Sequence, residues 1–192
     1  YYNLILNKLP QYTPSKLKIR TDFRETIKFE LLMQDKTINE NDKIKMVLNL
    51  YYYNPHEIED KKKAIEDILW FYKGGKQDKK RNVDDEKDDN SKQKQIYSYE
   101  FDAEYIYSAF MEQYKIDLNS IKYLHWWKFK ALFLSLNEEV LFSKIMGYRA
   151  MNINSIKDKE MKKFYKKMKK IYALPDMRTE EEKENDFAEA FS

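Results

Sequence analysis

The sequence predicts a mainly α protein, a single helical domain of about six to seven helices. Three observations support this fold class: the 192 residues include only 3 Gly and 4 Pro, charged residues make up 36% of the chain, and apolar residues recur at helical spacing. The 16 Tyr and 11 Phe supply the apolar area that a compact core needs. A chain of this length can bury such a core in one domain.

The first twenty residues lack this helical periodicity. The segments NLILNKLP and KLKIR could each form a short strand, with Pro10 and Pro14 in the turn between them. We therefore allow for a short N-terminal β-hairpin. It would have to lie on the helices, because an isolated hairpin is only marginally stable.

Helical spacing begins at Thr21. A first helix is predicted over TDFRETIKFELLMQD, with Thr21 or Asp22 as the residue that caps its free N–H groups. A second helix is predicted over NDKIKMVLNLYYY, with Asn41 or Asp42 as its cap.

A third helix and a charged segment follow. The helix is predicted to open at Pro55, which the first helical turn tolerates, and to end at Gly74 and Gly75, because glycine adopts the left-handed conformation freely. In residues 76–95, Val83 is the only aliphatic residue, and seven positive and six negative side chains surround it. Too little apolar surface is available there to offset the entropy of ordering, so we predict a flexible charged loop.

The second half of the chain contains four more predicted helices. The first lies within YSYEFDAEYIYSAFMEQYKIDL, and the second, capped by Asn119 or Ser120, contains LHWWKFKALFLSL. A shorter helix over NEEVLFSKIMG ends at Gly147, and the last, within NINSIKDKEMKKFYKKMKKIYAL, stops at Pro175.

The last helix and the chain end carry opposite charges. Residues 157–170 contain eight lysines and two acids, whereas residues 176–192 contain seven acids and two basic residues. We assign one helical domain, 1–175, and an acidic C-terminal tail, 176–192, which could shield the basic helix face. The lysines lie opposite an apolar stripe, as in any solvated amphipathic helix, and the net charge is only +3. Nucleic-acid binding is therefore the less favoured interpretation.

The stretch LHWWKFKALFLSL, residues 124–136, is apolar on almost every side of its predicted helix. This pattern is typical of a core helix, although one flank could remain exposed for a partner. Adjacent helical positions point about 100° apart, so we expect Trp126 and Trp127 to differ in burial. The candidate partner-binding residues are Tyr123, Trp126, Trp127, Phe133 and Phe110.

The sequence contains no pattern typical of catalysis, and we expect neither enzyme activity nor a cofactor or metal site. Three glycines cannot form a phosphate-binding loop, and the absence of cysteine excludes disulfides and thiolate metal sites. His56 and His125 are far apart in sequence, and His125 has no metal-ligand partner at helical spacing. No apolar run approaches the roughly 18 residues of a membrane span.

Several segments together resemble the bacteriophage gene-product-fifteen family of Gram-positive siphophages and prophages. These are NLILNKLP, IRTDFRETIKFELL, DKIKMVLNLYY, FDAEYIYSAFMEQYKIDL, LHWWKFKALFLSLNEE and KIMGYR, which span roughly Asn3 to Arg149. Members are typically encoded just before the tail tape-measure gene, which is where tail-assembly chaperones are encoded. The resemblance implies a chaperone that binds the tape-measure protein in the host cytoplasm, and a homo-oligomer. It implies no catalytic residues.

Two other classes of function remain open from the sequence. One is a structural protein of the virion, such as a tail completion or connector subunit. The other is a basic nucleic-acid-binding protein that would use the lysines of residues 157–170.

Overall fold

The computed structural model describes residue 5, residues 8–76 and residues 95–176. Within these ranges the chain forms seven α-helices, and its β-structure is limited to isolated bridges. The mainly α fold predicted from the sequence is therefore confirmed. The helices are α1 (Phe23–Gln34), α2 (Glu40–Tyr51), α3 (Lys61–Tyr72), α4 (Ala103–Tyr114), α5 (Trp126–Leu134), α6 (Leu141–Ala150) and α7 (Lys159–Ile171).

Two predicted segments lie almost entirely outside these ranges. The charged loop predicted over 76–95 is described only at its two end residues, and the acidic tail predicted over 176–192 only at Asp176. The division into a domain, 1–175, and a tail therefore stays a prediction.

A tight turn stands where the N-terminal hairpin was expected. The N–H of Lys16 donates to the carbonyl of Thr13, and the N–H of Thr13 donates to the carbonyl of Leu17. One antiparallel bridge joins Tyr12 to Lys18. The chain reverses within four residues because Lys16 adopts a left-handed φ of 63°. The described part of this region thus contains one bridge instead of two paired strands.

The first two helices begin at capping side chains. Asp22 caps α1 by accepting the N–H of Arg24 at 3.0 Å, as predicted. Helix α2 begins after Asn39, so the predicted caps Asn41 and Asp42 are wrong. Asn39 is the better cap because its amide contacts Asp42 twice: its oxygen accepts the Asp42 N–H, and its nitrogen donates to the Asp42 carboxylate.

Helix α3 begins later than predicted. Pro55–Glu57 form a separate 3₁₀ turn, and Ile58 after it is extended and buried. Asp60 then caps α3 by accepting a backbone N–H of its first turn. Burial of Ile58 therefore separates the proline turn from the helix. The predicted end is confirmed, since Gly74 and Gly75 follow α3 with φ angles of 79° and 74°.

Helix α5 begins at Trp126, several residues after the predicted caps Asn119 and Ser120. The Asp117 carboxylate accepts the backbone N–H groups of both predicted caps, and this forms a turn that is not continued as a helix. The chain next to α5 pairs with the backbone at the start of α1, where Leu124 accepts one hydrogen bond and Trp126 donates another. Because these long-range bonds engage the backbone next to Trp126, α5 begins later in the chain than predicted.

Helix α6 continues through Gly147, which was predicted to end it. A turn at Asn137, whose side chain accepts the N–H of Glu139, precedes the helix, and α6 starts at Leu141. Gly147 lacks a positive φ, and its carbonyl accepts the N–H of Met151 in the last turn. A glycine ends a helix only where it adopts the left-handed conformation.

Helix α5 lies at the centre of the aromatic core. The Phe129 ring stacks on Phe23 of α1, with centroids 4.7 Å apart, and on Phe110 of α4, at 5.0 Å. Trp126 stacks on Tyr72 of α3 at 5.9 Å. Because this helix contacts α1, α3 and α4, its apolar side chains are buried on several sides.

A buried ion pair holds the second half of the chain together. Arg149 of α6 donates to both carboxylate oxygens of Asp102, at 2.6 and 2.8 Å. It also donates to the carbonyls of Ile96 and Tyr172. One guanidinium therefore joins α6 to the residues that precede α4 and to the end of α7.

Candidate protein-interaction surface

The structure separates the five candidate partner-binding residues. Trp126, Trp127, Phe133 and Phe110 are all buried in the core, whereas Tyr123 is exposed. Four of the candidates are therefore core residues. Of the five, only Tyr123 has a ring that a partner could contact.

The expectation that the two tryptophans differ in burial is wrong. Trp126 is 2% exposed and Trp127 is 4% exposed. The Trp126 indole donates to the carbonyl of Tyr72 at 2.9 Å, and the Trp127 indole donates to that of Phe71 at 2.7 Å. Both rings are covered because they reach the same end of α3, whose last carbonyl groups need donors.

His125 is a buried cap of α5. Its Nδ1 accepts the N–H of Trp127 at 3.1 Å, and its Nε2 lies 3.1 Å from the carbonyl of Pro10. This geometry fits the neutral tautomer with the proton on Nε2. Burial lowers the pKa of His125, and Lys128 adds to that effect, while the bond to Pro10 opposes it.

We expect the free energy of unfolding to fall as the pH falls below about 6.5, the unfolded histidine value. The folded protein binds the His125 proton less readily than the unfolded chain does, so this contribution to stability is complete only above that pH. The variant His125→Asn keeps a capping oxygen without the titration. Urea unfolding at pH 7 and pH 5 should show a smaller loss in the variant.

Comparing His125→Asn with the natural chain separates the effect of His125 titration on stability from the effects of other titrating groups. Burial raises the pKa of Glu30, whose effect on stability runs in the opposite direction over this pH range, but Glu30 titrates in both proteins. Equal pH dependence in the variant and the natural chain would contradict the assignment.

Two exposed tyrosines meet two cationic side chains, exposed Lys18 and half-buried Arg20, beside the N-terminal turn. Lys18 lies opposite Tyr12 in an antiparallel bridge, and Lys18 and Arg20 are two residues apart in extended backbone, so the three share one face. The Tyr53 ring lies beneath both cations, 5.2 Å from Lys18 Nζ and 4.7 Å from the Arg20 guanidinium carbon. We name Tyr12, Lys18, Arg20 and Tyr53 the tyrosine–cation surface.

This surface is held in place by the end of α2. The Arg20 guanidinium donates to the carbonyls of Asn49, Leu50 and Tyr52, at 2.9, 3.3 and 2.6 Å. The bridge between Ile19 and Tyr52 fixes the adjacent backbone. A cation at the carbonyl end of a helix is favourable, so the surface is ordered before any partner binds.

Tyr123 extends the exposed tyrosines toward α5. Its hydroxyl lies 2.7 Å from the hydroxyl of Thr21, the residue after Arg20. Tyr12, Tyr53 and Tyr123 are 53%, 52% and 52% exposed. Tyrosine and arginine are enriched where proteins bind proteins, because they combine large contact area with hydrogen bonds.

A family model described as Bacteriophage Gp15 protein matches residues 5–174. The chain belongs to the bacteriophage Gp15 family. The resemblance predicted from the sequence is thereby confirmed, and it indicates a phage structural or tail-related protein. No curated protein and no solved structure shows a significant match.

The matched part of this Gp15-family protein contains all seven helices and the tyrosine–cation surface, whereas residues 175–192 lie beyond it. None of the helices in the described ranges is long and apolar enough to cross a membrane. Within the same ranges, no three His, Cys, Asp or Glu side chains are placed to hold a metal ion.

The Gp15-family protein has an open groove of about 680 Å³ between α1 and α4, lined in part by Phe23, Ile27 and Ile106. Arg24 also lines it, but its guanidinium already donates to two backbone carbonyls and to the carboxylate of Asp22. The groove walls thus combine apolar side chains and an engaged cation with the polar residues Glu104, Tyr107, Ser108 and Asn119.

Sequence reasoning missed most of the exposed surface of this Gp15-family protein. The alternation in KLKIR does place Lys18 and Arg20 on one face, and that signal was available. The contact with Tyr53 was not predictable, because it depends on how the end of α2 meets the N-terminal segment.

Proposed function

We propose that this Gp15-family protein is a tail-assembly chaperone that binds the tail tape-measure protein during tail morphogenesis. The observation that supports this most directly is the ordered, exposed tyrosine–cation surface. In this proposal the protein acts in the host cytoplasm by binding, without catalysis or a cofactor. It covers the apolar helical surface of its partner until tail-tube subunits replace it.

The exposed tyrosines of the tyrosine–cation surface provide aromatic contact area for a partner. A tyrosine ring removes a large apolar area from water and loses few rotatable bonds on binding. Arg20 is already fixed by three carbonyls, so less entropy is lost when a partner covers it. A long partner helix offers repeated sites, and we propose that several copies, or a homo-oligomer, line it.

We expect the complex with the tape-measure protein to survive high salt. Apolar contacts are insensitive to screening, whereas exposed charge contacts weaken when the Debye length falls from about 10 Å at 0.1 M to about 3 Å at 1 M. The measurement is a pull-down of the co-expressed tape-measure protein at both salt concentrations. A variant with Lys162, Lys163, Lys166 and Lys167 changed to Gln should also retain the complex.

The double variant Tyr12→Ser, Tyr53→Ser should bind the tape-measure protein about 30-fold more weakly, the loss of roughly 2 kcal/mol expected at a binding hot spot. Tyr123→Ala extends the same test toward α5. Phe101→Ala is the matched control, because Phe101 is also an exposed aromatic ring, in the turn before α4. Equal affinity of the double variant and the control would contradict the assignment of this surface.

Two other outcomes would replace the chaperone proposal. Stoichiometric presence of the protein in finished particles would indicate a structural subunit of the tail. Loss of the complex both at high salt and in the Lys→Gln variant, with retained affinity for DNA, would indicate the basic nucleic-acid binder.

A further inference from the structure

Helix α7 has an apolar stripe that the described fold does not cover. It contains no buried residue, and Met161, Phe164 and Ile171 are 52%, 48% and 56% exposed. The helix packs against α6, where Tyr148 contacts Phe164, Tyr165 and Tyr172, and against the 3₁₀ turn Ile153–Ser155. These contacts leave a large part of Met161, Phe164 and Ile171 in solvent.

The polar face of the same helix is strongly basic. Residues 157–170 have eight lysines and two acids, a net charge of +6. Five exposed lysines (Lys159, Lys163, Lys166, Lys167 and Lys170) form no ion pair with any carboxylate in the part of the chain that the structure describes. An occupant of this helix should therefore combine negative charge with apolar side chains.

We propose that the acidic segment 177–192 of the same chain returns along α7 and places Phe187 and Phe191 on the exposed stripe. Residues 177–192 have six acids and two basic residues, a net charge of −4, which complements the helix. The two phenylalanines are four residues apart, the spacing that puts side chains on one face of a helix. They are also the aromatic side chains of a segment that is otherwise polar, apart from a methionine and two alanines.

The length of the segment permits this return. Helix α7 has 13 residues and is about 20 Å long. The ten residues from 177 to 186 can extend up to roughly 33 Å, so Phe187 can reach either end of the stripe. The chain leaves α7 at Ile171, beside the site that it would cover.

A second copy of α7 is a poorer occupant. Pairing two such helices would bring two net charges of +6 together, whereas the tail neutralises most of that charge locally. Docking would also keep the basic face from nucleic acid in the host. This inference is independent of the tape-measure proposal, because it concerns only contacts within the chain.

The absence of cysteine makes a direct test possible. The variant Ser192→Cys carries a nitroxide label at one position of the full-length, ¹⁵N-labelled chain. We expect loss of amide peak intensity along residues 161–171 relative to the reduced label. The loss should disappear when Phe187→Ala and Phe191→Ala are added to the labelled variant. The chemical shift of the Phe129 amide, at the centre of the core, should be the same in all variants if they are folded.

A mixed sample distinguishes the tail of a second copy. In this sample the nitroxide is on a chain without ¹⁵N, and the ¹⁵N-labelled chain carries no nitroxide. Intensity loss on α7 in this mixture, equal to that in the single-chain sample, would assign the contact to exchange between copies and overturn the proposal. Absence of intensity loss on α7, or loss that persists without the two phenylalanines, would also overturn it.

Discussion

Replacing either Arg149 or Asp102 with alanine should lower the free energy of unfolding by about 3–5 kcal/mol. The two side chains form a bidentate pair that is almost fully buried. Removing one partner leaves the other charge buried and unpaired, and this is the main source of the cost. The measurement is urea unfolding followed by tryptophan fluorescence.

The surroundings of the pair explain why its loss should be large. Arg149 also donates to the carbonyls of Ile96 and Tyr172, and Asp102 accepts the N–H of Ser98 at 2.9 Å. Truncation of the arginine would leave those carbonyls without a donor in a water-poor site. The double alanine variant should lose less than the sum of the two single losses, because neither charge then remains unpaired.

An exposed ion pair provides the matched control. Lys144 and Glu139 lie 3.0 Å apart with both side chains largely in solvent. Lys144→Ala should cost at most about 1 kcal/mol. If Arg149→Ala also lowers the free energy of unfolding by at most about 1 kcal/mol, the buried pair does not hold α4, α6 and the end of α7 together.

Trp126→Ala and Trp127→Ala should each cost about 3–5 kcal/mol of unfolding free energy. Both rings are buried, and each indole donates to a carbonyl at the end of α3. Removing a ring leaves a cavity and removes one of two donors to a carbonyl, since Phe71 also accepts the Gly74 N–H and Tyr72 the Lys130 ammonium. The corresponding Trp→Phe variants keep most of the apolar area and isolate the hydrogen bond, at about 0.5–1.5 kcal/mol.

Leu134→Ala is the control on the same helix. Leu134 is 73% exposed, so its loss should stay within about 0.5 kcal/mol. Guanidinium unfolding monitored by circular dichroism measures all the variants on one scale, because it does not depend on which tryptophan remains. Small losses for both tryptophans would contradict the central position of α5.

Local sequence signals predicted much of the fold correctly. The scarcity of glycine and proline and the spacing of apolar residues predicted a mainly α protein. Asp22 was predicted as one of two possible caps of α1, and Gly74 and Gly75 as the end of α3, because caps and glycine turns act within a few residues. The predicted helix starts that were wrong, at α2, α3, α5 and α6, each had several polar residues within reach of the first turn.

The candidate site was less predictable, because it depends on which surfaces other elements cover. The tryptophan stretch favoured a core helix as a pattern and left an interface open, and the position of α5 between α1, α3 and α4 assigned it to the core. Of the five predicted partner-binding residues, only Tyr123 is exposed. Tyr53 joined the surface through contacts with Lys18 and Arg20, which are far from it in sequence.

The sequence by itself determined the helical class, the family and the amphipathic character of α7. Only the tertiary structure decided that both tryptophans are buried and that Met161, Phe164 and Ile171 on the apolar stripe of α7 are exposed. The physical reason is that periodicity is a property of one segment, whereas burial requires a neighbour on the facing side. Helix α5 has neighbours on several sides, whereas α7 packs against α6 and the 3₁₀ turn Ile153–Ser155 and contains no buried residue.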